Sequence, residues 1–362
     1  MKTRTTATVL GSALLALLAA CGTTQPTSPS TTSAVEATSS GSASPAAEQT
    51  ANAEEAAAGR SSCVGDTTTT STGPVSLTDA FGRSVELAKP AERVAVLEWQ
   101  QIEDALTLCV DPVAVADVEG FTRWDTAETL PAGVADVGTR GEPNLDALFA
   151  TNPDLVIIEA YTPDDEIIAK LAAYQVPVLA TKGADATNPI GQMKDTFTLI
   201  AQATGREERA QVVLDEFTES LATAKAAVAG AEAAKKEFVY FDGWVEGGNV
   251  NIRPFGQGSL MGELGEELGL TNAWTGEVDP AYGLGQTDIE GMTTVGDATF
   301  FYTGTEDPDS DVMGELAKNE IWKALPAVVE GNTHAFPPGI WTFGGPRSAE
   351  QVLDAYVAQL TG

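Results

Sequence analysis

The amino-acid sequence predicts an α/β protein of two lobes, each built on a parallel sheet, joined by one long α-helix. Short apolar runs rich in Val, Ile and Ala alternate with helical stretches on both sides of a single extended helical pattern, and 43% of the 362 residues are hydrophobic. Near-continuous apolar strands mark sheets covered on both faces. A chain of this length also holds two cores of ordinary size.

In the first lobe, Arg93-Val94-Ala95-Val96-Leu97 reads as a strand after Pro90. Gln101 to Leu108 then reads as a helix, with Ile102, Ala105, Leu106 and Leu108 at its apolar positions. Pro112 to Ala116, Asp154 to Ile158 and Val176 to Ala180 supply three further strands, separated by helical patterns that include Leu145 to Ala150 and Asp165 to Tyr174. From Gln192 to Lys236, Ala210, Leu214, Phe217, Leu221, Ala224 and Val228 recur at helical spacing, punctuated by Gly205 and Gly230. The alternation restarts with a strand at Phe238 to Phe241, a helix at Ser259 to Leu268, a strand at Ala298 to Tyr302 and a closing helix at Ala349 to Leu360. These readings place an N-terminal lobe at 73–190, an interlobe helix at 191–236 and a C-terminal lobe at 237–362. Ligands of such sheets collect beyond the carboxyl ends of the strands.

The first twenty residues have the layout of a secretion signal. Lys2 and Arg4 form a positive head, Val9 to Ala20 an apolar stretch too short to span a bilayer, and Leu18-Ala19-Ala20-Cys21 an ending of small residues before a cysteine. That ending resembles the bacterial lipobox, which implies that Cys21 carries the lipid and begins the mature chain. Residues 21–72 are dominated by Thr, Ser, Ala and Glu with scattered prolines, a composition that cannot bury enough surface to offset its chain entropy. A lipid-anchored tether outside the cytoplasmic membrane is expected, with the membrane reached through the lipid alone. With Cys21 lipidated, Cys63 and Cys109 remain as a candidate disulfide, two separate thiols being the alternative.

Charge excludes one class of partner. With 52 acidic against 20 basic residues, the formal net charge is -32, and no basic run exists to neutralise nucleic-acid phosphates. Such a surface reads first as a solubilising coat suited to an exposed or salty environment, the alternative being a field that repels anionic ligands and favours neutral or cationic ones.

The body from about Pro74 onward resembles the substrate-binding proteins of ABC importers for ferric siderophores, a class that also holds vitamin B12 and haem binders. The pieces that carry the resemblance are Lys89-Pro90-Ala91-Glu92-Arg93-Val94-Ala95-Val96, Val137-Gly138-Thr139 with Glu142-Pro143-Asn144-Leu145-Asp146, and Asn152-Pro153-Asp154-Leu155-Val156-Ile157. In the second half they are Glu267-Leu268-Gly269-Leu270, Trp322-Lys323-Ala324-Leu325-Pro326-Ala327-Val328 and Trp341-Thr342-Phe343-Gly344-Gly345-Pro346-Arg347-Ser348. One departure is Cys109, where the family usually has glycine. The resemblance implies two Rossmann-like lobes joined by a rigid helix, a ligand cleft between them, an ABC permease as partner and a monomeric receptor.

A ferric siderophore saturates its iron with its own oxygens, so its receptor needs aromatic walls and a few cationic groups but no metal ligands. Loop positions at the strand ends offer Trp99, Gln100, Arg123, Trp124 and Tyr161 from the first lobe. The second lobe offers Trp244, Arg253, Phe255, Tyr282, Trp341, Phe343 and Arg347. Arg253 and Arg347 are expected to face the iron-bound oxygens, as arginine pairs well with carboxylate and catecholate oxygens, an intramolecular salt bridge being the alternative for each. The resemblance further implies that Asp146 and Glu290 dock the lobes onto the permease.

Catalysis finds little support. His334 is the single histidine, too few for a zinc or manganese receptor, and Phe255-Gly256-Gln257-Gly258-Ser259 lacks the Gly-Lys-Ser/Thr ending of a phosphate loop. Two other readings stand beside the leading one. One keeps the fold with haem or cobalamin as cargo, Tyr161 or Tyr282 serving as axial ligand for haem. The other is a surface-tethered interaction protein or hydrolase without a transport role.

Overall fold

The computed structural model describes residues 63–231, 235–305 and 311–362. The expected signal peptide, Cys21 and the tether up to residue 62 lie outside the described residues. Residues 63–72, assigned by composition to the tether, are instead held against the body. Cys63 is bonded to Cys109 with Cα atoms 5.7 Å apart, the Thr69 amide donates to Glu208 at 2.9 Å, and the Ser71 amide donates to the Gly205 carbonyl at 2.8 Å. These long-range bonds supply the ordering that composition alone does not foresee.

A hairpin of β1 (Val75–Thr78) and β2 (Ser84–Leu87) precedes the first main sheet. That sheet comprises β3 (Val94–Val96), β4 (Ala114–Val115), β5 (Ala135–Asp136), β6 (Leu155–Glu159) and β7 (Val178–Thr181), all parallel, in the order β5-β4-β3-β6-β7. Its helices are α1 (Trp99–Thr107), α2 (Val118–Trp124), α3 (Leu145–Ala150) and α4 (Glu166–Ala172). The strand period of two sorts the apolar runs onto opposite faces. Val94, Val96, Leu155 and Ile157 join one core with Ile102 and Phe197, while Ala95, Val156 and Ile158 join another with Leu148 and Leu171.

The 191–236 stretch is two helices where one was expected. Asn188 caps α5 (Pro189–Thr204) by accepting from the Gly191 amide, and α5 ends at Gly205, whose φ of 68° is a left-handed stop. After Arg206, α6 (Glu207–Gly230) runs about 36 Å at 1.5 Å per residue. Ala210 and Val213 near its start pack into the first lobe's core, and Phe217 and Ala224 further on pack into the second's. This helix makes the passage between lobes.

The second sheet contains β8 (Glu237–Glu246), β9 (Asn249–Phe255), β10 (Thr271–Asn272), β11 (Thr299–Tyr302) and β12 (Thr333–Ala335). The order β10-β8-β11-β12 is parallel, and β9 pairs antiparallel with β8. Phe238, Tyr240 and Phe301 face a core shared with Tyr356, while Val239, Phe241 and Phe300 face another with Trp322. Around this sheet lie α7 (Leu260–Glu267), α8 (Val312–Leu316), α9 (Glu320–Ala324), α10 (Pro326–Val329) and α11 (Pro346–Thr361).

Candidate functional site

Between the lobes, at the carboxyl ends of the strands, lies a cavity of about 760 Å³, within the size range of small-molecule sites. The first lobe contributes Trp99, Trp124 and Arg140; the second contributes Trp244, Arg253, Tyr302, Met313 and Trp341 among others.

Trp99 enters the wall because Glu98, two residues beyond β3, caps α1: its Oε1 accepts from the Trp99 amide at 2.8 Å. The same oxygen pairs with Arg140, and the Arg140 guanidinium lies 3.8 Å from the Trp99 ring centre and 5.5 Å from that of Trp341. The two indoles meet edge to face at 4.7 Å. One carboxylate thus orients a helix, a cation and, through the cation, an aromatic corner.

On the opposite wall, Asp242 and Arg253 are direct cross-strand partners of β8 and β9. Arg253 Nε donates to Asp242 Oδ1 at 2.8 Å, and its Nη2 pairs with the other oxygen in a bidentate fork. Burial pushes the Asp242 carboxyl up, and Arg253 pulls it back. Trp244 stands further along the same hairpin, 40% exposed over the cavity.

The structure sorts the sequence-predicted residues into groups. Trp99, Trp124, Trp244, Arg253 and Trp341 line the cavity together. Gln100, Tyr282 and Phe343 meet instead at a narrow crevice of about 20 Å³ beside it, where Tyr282 Oη donates to Glu159 at 2.6 Å across the lobes. Burial, with Glu98 nearby, raises the Glu159 carboxyl to about 7. Arg123 lines a shallow recess of about 340 Å³ that shares Trp124 with the main cavity.

Three expected site residues are placed elsewhere. Phe255 is fully buried, since its face of β9 packs against Tyr240 in the second lobe's core. Tyr161 is 73% exposed and outside the cavity wall. Arg347, expected to face iron-bound oxygens, sits in the first turn of α11 and is engaged by Glu216 of α6 and by Glu350 at 2.7 Å. Neither tyrosine suggested as a haem ligand reaches the main cavity. Asp146 and Glu290 are both exposed, one in the first turn of α3 and the other just before the 3-10 turn Gly291–Val295. Among the described residues no group of three or more His, Cys, Asp or Glu is placed to hold a metal ion.

Sequence reasoning missed Arg140, Asp242, Tyr302 and Met313. Arg140 follows Val137-Gly138-Thr139 directly, and an arginine just beyond a parallel strand, in a chain with 20 basic residues, was a usable signal.

Comparison with known proteins places this architecture. The family model described as Periplasmic binding protein matches residues 94–338. The chain belongs to that family. Among curated relatives, the iron(3+)-hydroxamate-binding protein FhuD of Escherichia coli (strain K12) is 26% identical over 261 residues, covering 71% of this chain and 83% of FhuD. The Fe(3+)-citrate-binding protein YfmC of Bacillus subtilis (strain 168) is 28% identical over 276 residues, covering 75% and 81%. The structure of Vibrio cholerae FhuD bound to Fe3+-Desferal superposes with a TM-score of 0.65 at 24% identity, covering 75% of this chain and 98% of that one, and so shares the fold. Two lobes about a cleft are the fold of this family, and the cavity occupies the cleft. No helix among the described residues is long and apolar enough to cross a membrane.

Proposed function

We propose that this protein captures a ferric siderophore outside the membrane and hands it to an ABC permease for iron uptake, and that its ligand is a neutral or cationic hydroxamate complex. One observation carries the choice of ligand. Each arginine of the cavity is tied to a carboxylate of its own lobe, Arg140 to Glu98 and Arg253 to Asp242. The two pairs cancel, so the wall offers hydrogen-bond donors and indole faces without net positive charge. A tricatecholate complex carries three negative charges and finds nothing there to neutralise them, whereas a hydroxamate complex is already neutral at its iron.

In this reading, Trp99, Trp124, Trp244 and Trp341 enclose the organic shell, and Arg140 donates to iron-bound oxygens while Glu98 holds its guanidinium in place. No protein atom need touch the iron. The names of FhuD and YfmC, an iron(3+)-hydroxamate and an Fe(3+)-citrate binder, support an iron chelate as cargo. Asp146 and Glu290 present one carboxylate from each lobe to the permease, and the lipid on Cys21 keeps the receptor at the membrane.

A thermal-shift panel tests the reading. Saturation at a hundred times Kd stabilises a protein by about 2.7 kcal/mol. Fe(III)-Desferal is expected to raise the melting temperature, and a ferric tricatecholate, ferric citrate, haem and cobalamin to leave it unchanged. A shift with one of the others and none with Fe(III)-Desferal rejects the hydroxamate assignment; a response to haem or cobalamin alone rejects the siderophore as well.

A further inference from the structure

We propose that Glu103 is a positioning residue: its carboxylate clasps the amino-terminus of α11 from across the lobes and thereby sets where the Trp341 segment stands as a wall of the cavity. Trp99 and Glu103 lie one helical turn apart on the same face of α1. The segment from Trp341 to Ser348 touches that face at both ends. The Trp341 ring packs on Trp99, while Glu103 Oε2 accepts from the Gly345 amide at 2.9 Å and the Ser348 hydroxyl at 2.7 Å, and Oε1 accepts from the Ser348 amide at 2.9 Å. A turn from the Gly344 amide to the Trp341 carbonyl, 3.2 Å long, joins the two ends stiffly.

Helix α11 has no capping side chain of its own, since Gly345 holds the cap position and Pro346 follows. Its unpaired amides and positive dipole end are met by a carboxylate of the other lobe. The approach is as close as the backbone allows: a Cβ on Gly344 would stand 2.6 Å from Glu103 Oε2, and one on Gly345 would stand 2.1 Å from Asp104 Oδ1. Glu103, Asp104 and Asp125 are all buried. Burial raises all three carboxyls, and the bonds from Ser348 and Gly345 draw Glu103 back toward the charged form. Nearby, Thr107 at the end of α1 donates to Glu128 and receives the Arg209 guanidinium of α6 on its carbonyl, so the clasp sits against the helix that passes between the lobes.

The affinity part of the test rests on the reading of the cavity as the ligand site; the spectral part does not. Glu103→Gln, Glu103→Asp and Ser348→Ala in the full chain are compared with the parent by tryptophan emission without ligand and by Kd for Fe(III)-Desferal. Glu103→Gln is expected to shift the emission and weaken binding about tenfold, Ser348→Ala to do so about threefold, and Glu103→Asp to recover part of the loss, since a charge-assisted bond contributes more than a neutral one. A lowered melting temperature with emission and Kd both unchanged in Glu103→Gln overturns the proposal, and if that variant does not fold, the same result in Ser348→Ala does so. If Fe(III)-Desferal fails to bind the parent protein, the ligand assignment falls, and the emission of the ligand-free variants still decides the clasp.

Discussion

Replacing Arg140 by alanine removes a cation that touches both indoles of the aromatic corner. In the free protein the cost is small, because the Arg140 and Glu98 side chains retain 33% and 16% of their exposure and such pairs contribute about 0.2–1 kcal/mol. In the complex the loss is larger. A charge-assisted hydrogen bond to an iron-bound oxygen contributes about 1.5–3 kcal/mol, whereas the contact of the guanidinium with Trp99 at 3.8 Å is already made without ligand and drops out of the difference in affinity. That loss of about 1.5–3 kcal/mol corresponds to a Kd for Fe(III)-Desferal raised roughly 10- to 150-fold. Glu98 is then left unpaired at the cavity, so Glu98→Gln in the Arg140→Ala background is expected to recover part of the affinity. Equilibrium titration of tryptophan quenching measures all four proteins of the cycle. A Kd for Arg140→Ala within threefold of the parent refutes the assignment of Arg140 to the ligand.

Other outcomes follow from the same geometry. The Glu159 carboxyl sits at about 7 in the folded protein against an ordinary 4.5, so the folded state holds a proton that the unfolded chain releases. Its contribution is therefore fully present below pH 4.5 and is lost as pH rises through about 7; Glu159→Gln, which keeps an acceptor for Tyr282, is expected to flatten the profile of melting temperature against pH between about 5 and 8. An unchanged slope contradicts the burial argument. The Cys63 to Cys109 bridge spans a sequence separation of 46, for which loop entropy gives about 4 kcal/mol; the Cys63→Ala, Cys109→Ala double variant is expected to unfold at lower urea, and an unchanged midpoint counts against the bridge. Charge reversal of Glu290 or Asp146 is expected to abolish iron uptake by cells while leaving Kd for the ferric ligand unaltered, because both carboxylates are exposed and outside the cavity.

The alternation of strands and helices was legible because buried parallel strands must be apolar on both faces, and Val94 to Leu97 and Leu155 to Ile158 are apolar runs of strand length rich in β-branched residues. The β8-β9 hairpin was not legible by that criterion. Asp242 and Arg253 interrupt its apolar pattern since they face a cavity, so the apolar run stops at Phe241 while the strand goes on to Glu246, although Gly247-Gly248 between two runs is itself a turn signal. Gly205 marked the helix break correctly as punctuation, and only the structure shows that two helices result. Cys109 has a φ of 62°, a left-handed conformation that favours glycine, which accounts physically for the family's usual residue there.

Within the site, the tryptophans were legible as a set because four of the six follow strands or lie on the hairpin beyond one, but composition does not sort wall from core. Phe255 and Trp244 lie on paired strands of one hairpin, yet one is sealed inside and the other 40% exposed. The arginines show the same limit. Arg347 has Glu350 three positions on, a local pair that competes with the ligand role expected for it, whereas Arg140 is oriented by Glu98, forty-two residues earlier, a contact that no local pattern reveals.

The central claim is that an iron chelate without net negative charge sits among the indoles between the lobes. Titration of tryptophan emission with Fe(III)-Desferal, iron-free Desferal and a ferric tricatecholate puts it to the most direct test. Saturable quenching by Fe(III)-Desferal, lost in Trp341→Ala and absent with the other two, is the result expected; quenching by the tricatecholate alone, or by Fe(III)-Desferal equally in the Trp99→Ala, Trp244→Ala and Trp341→Ala variants, contradicts it.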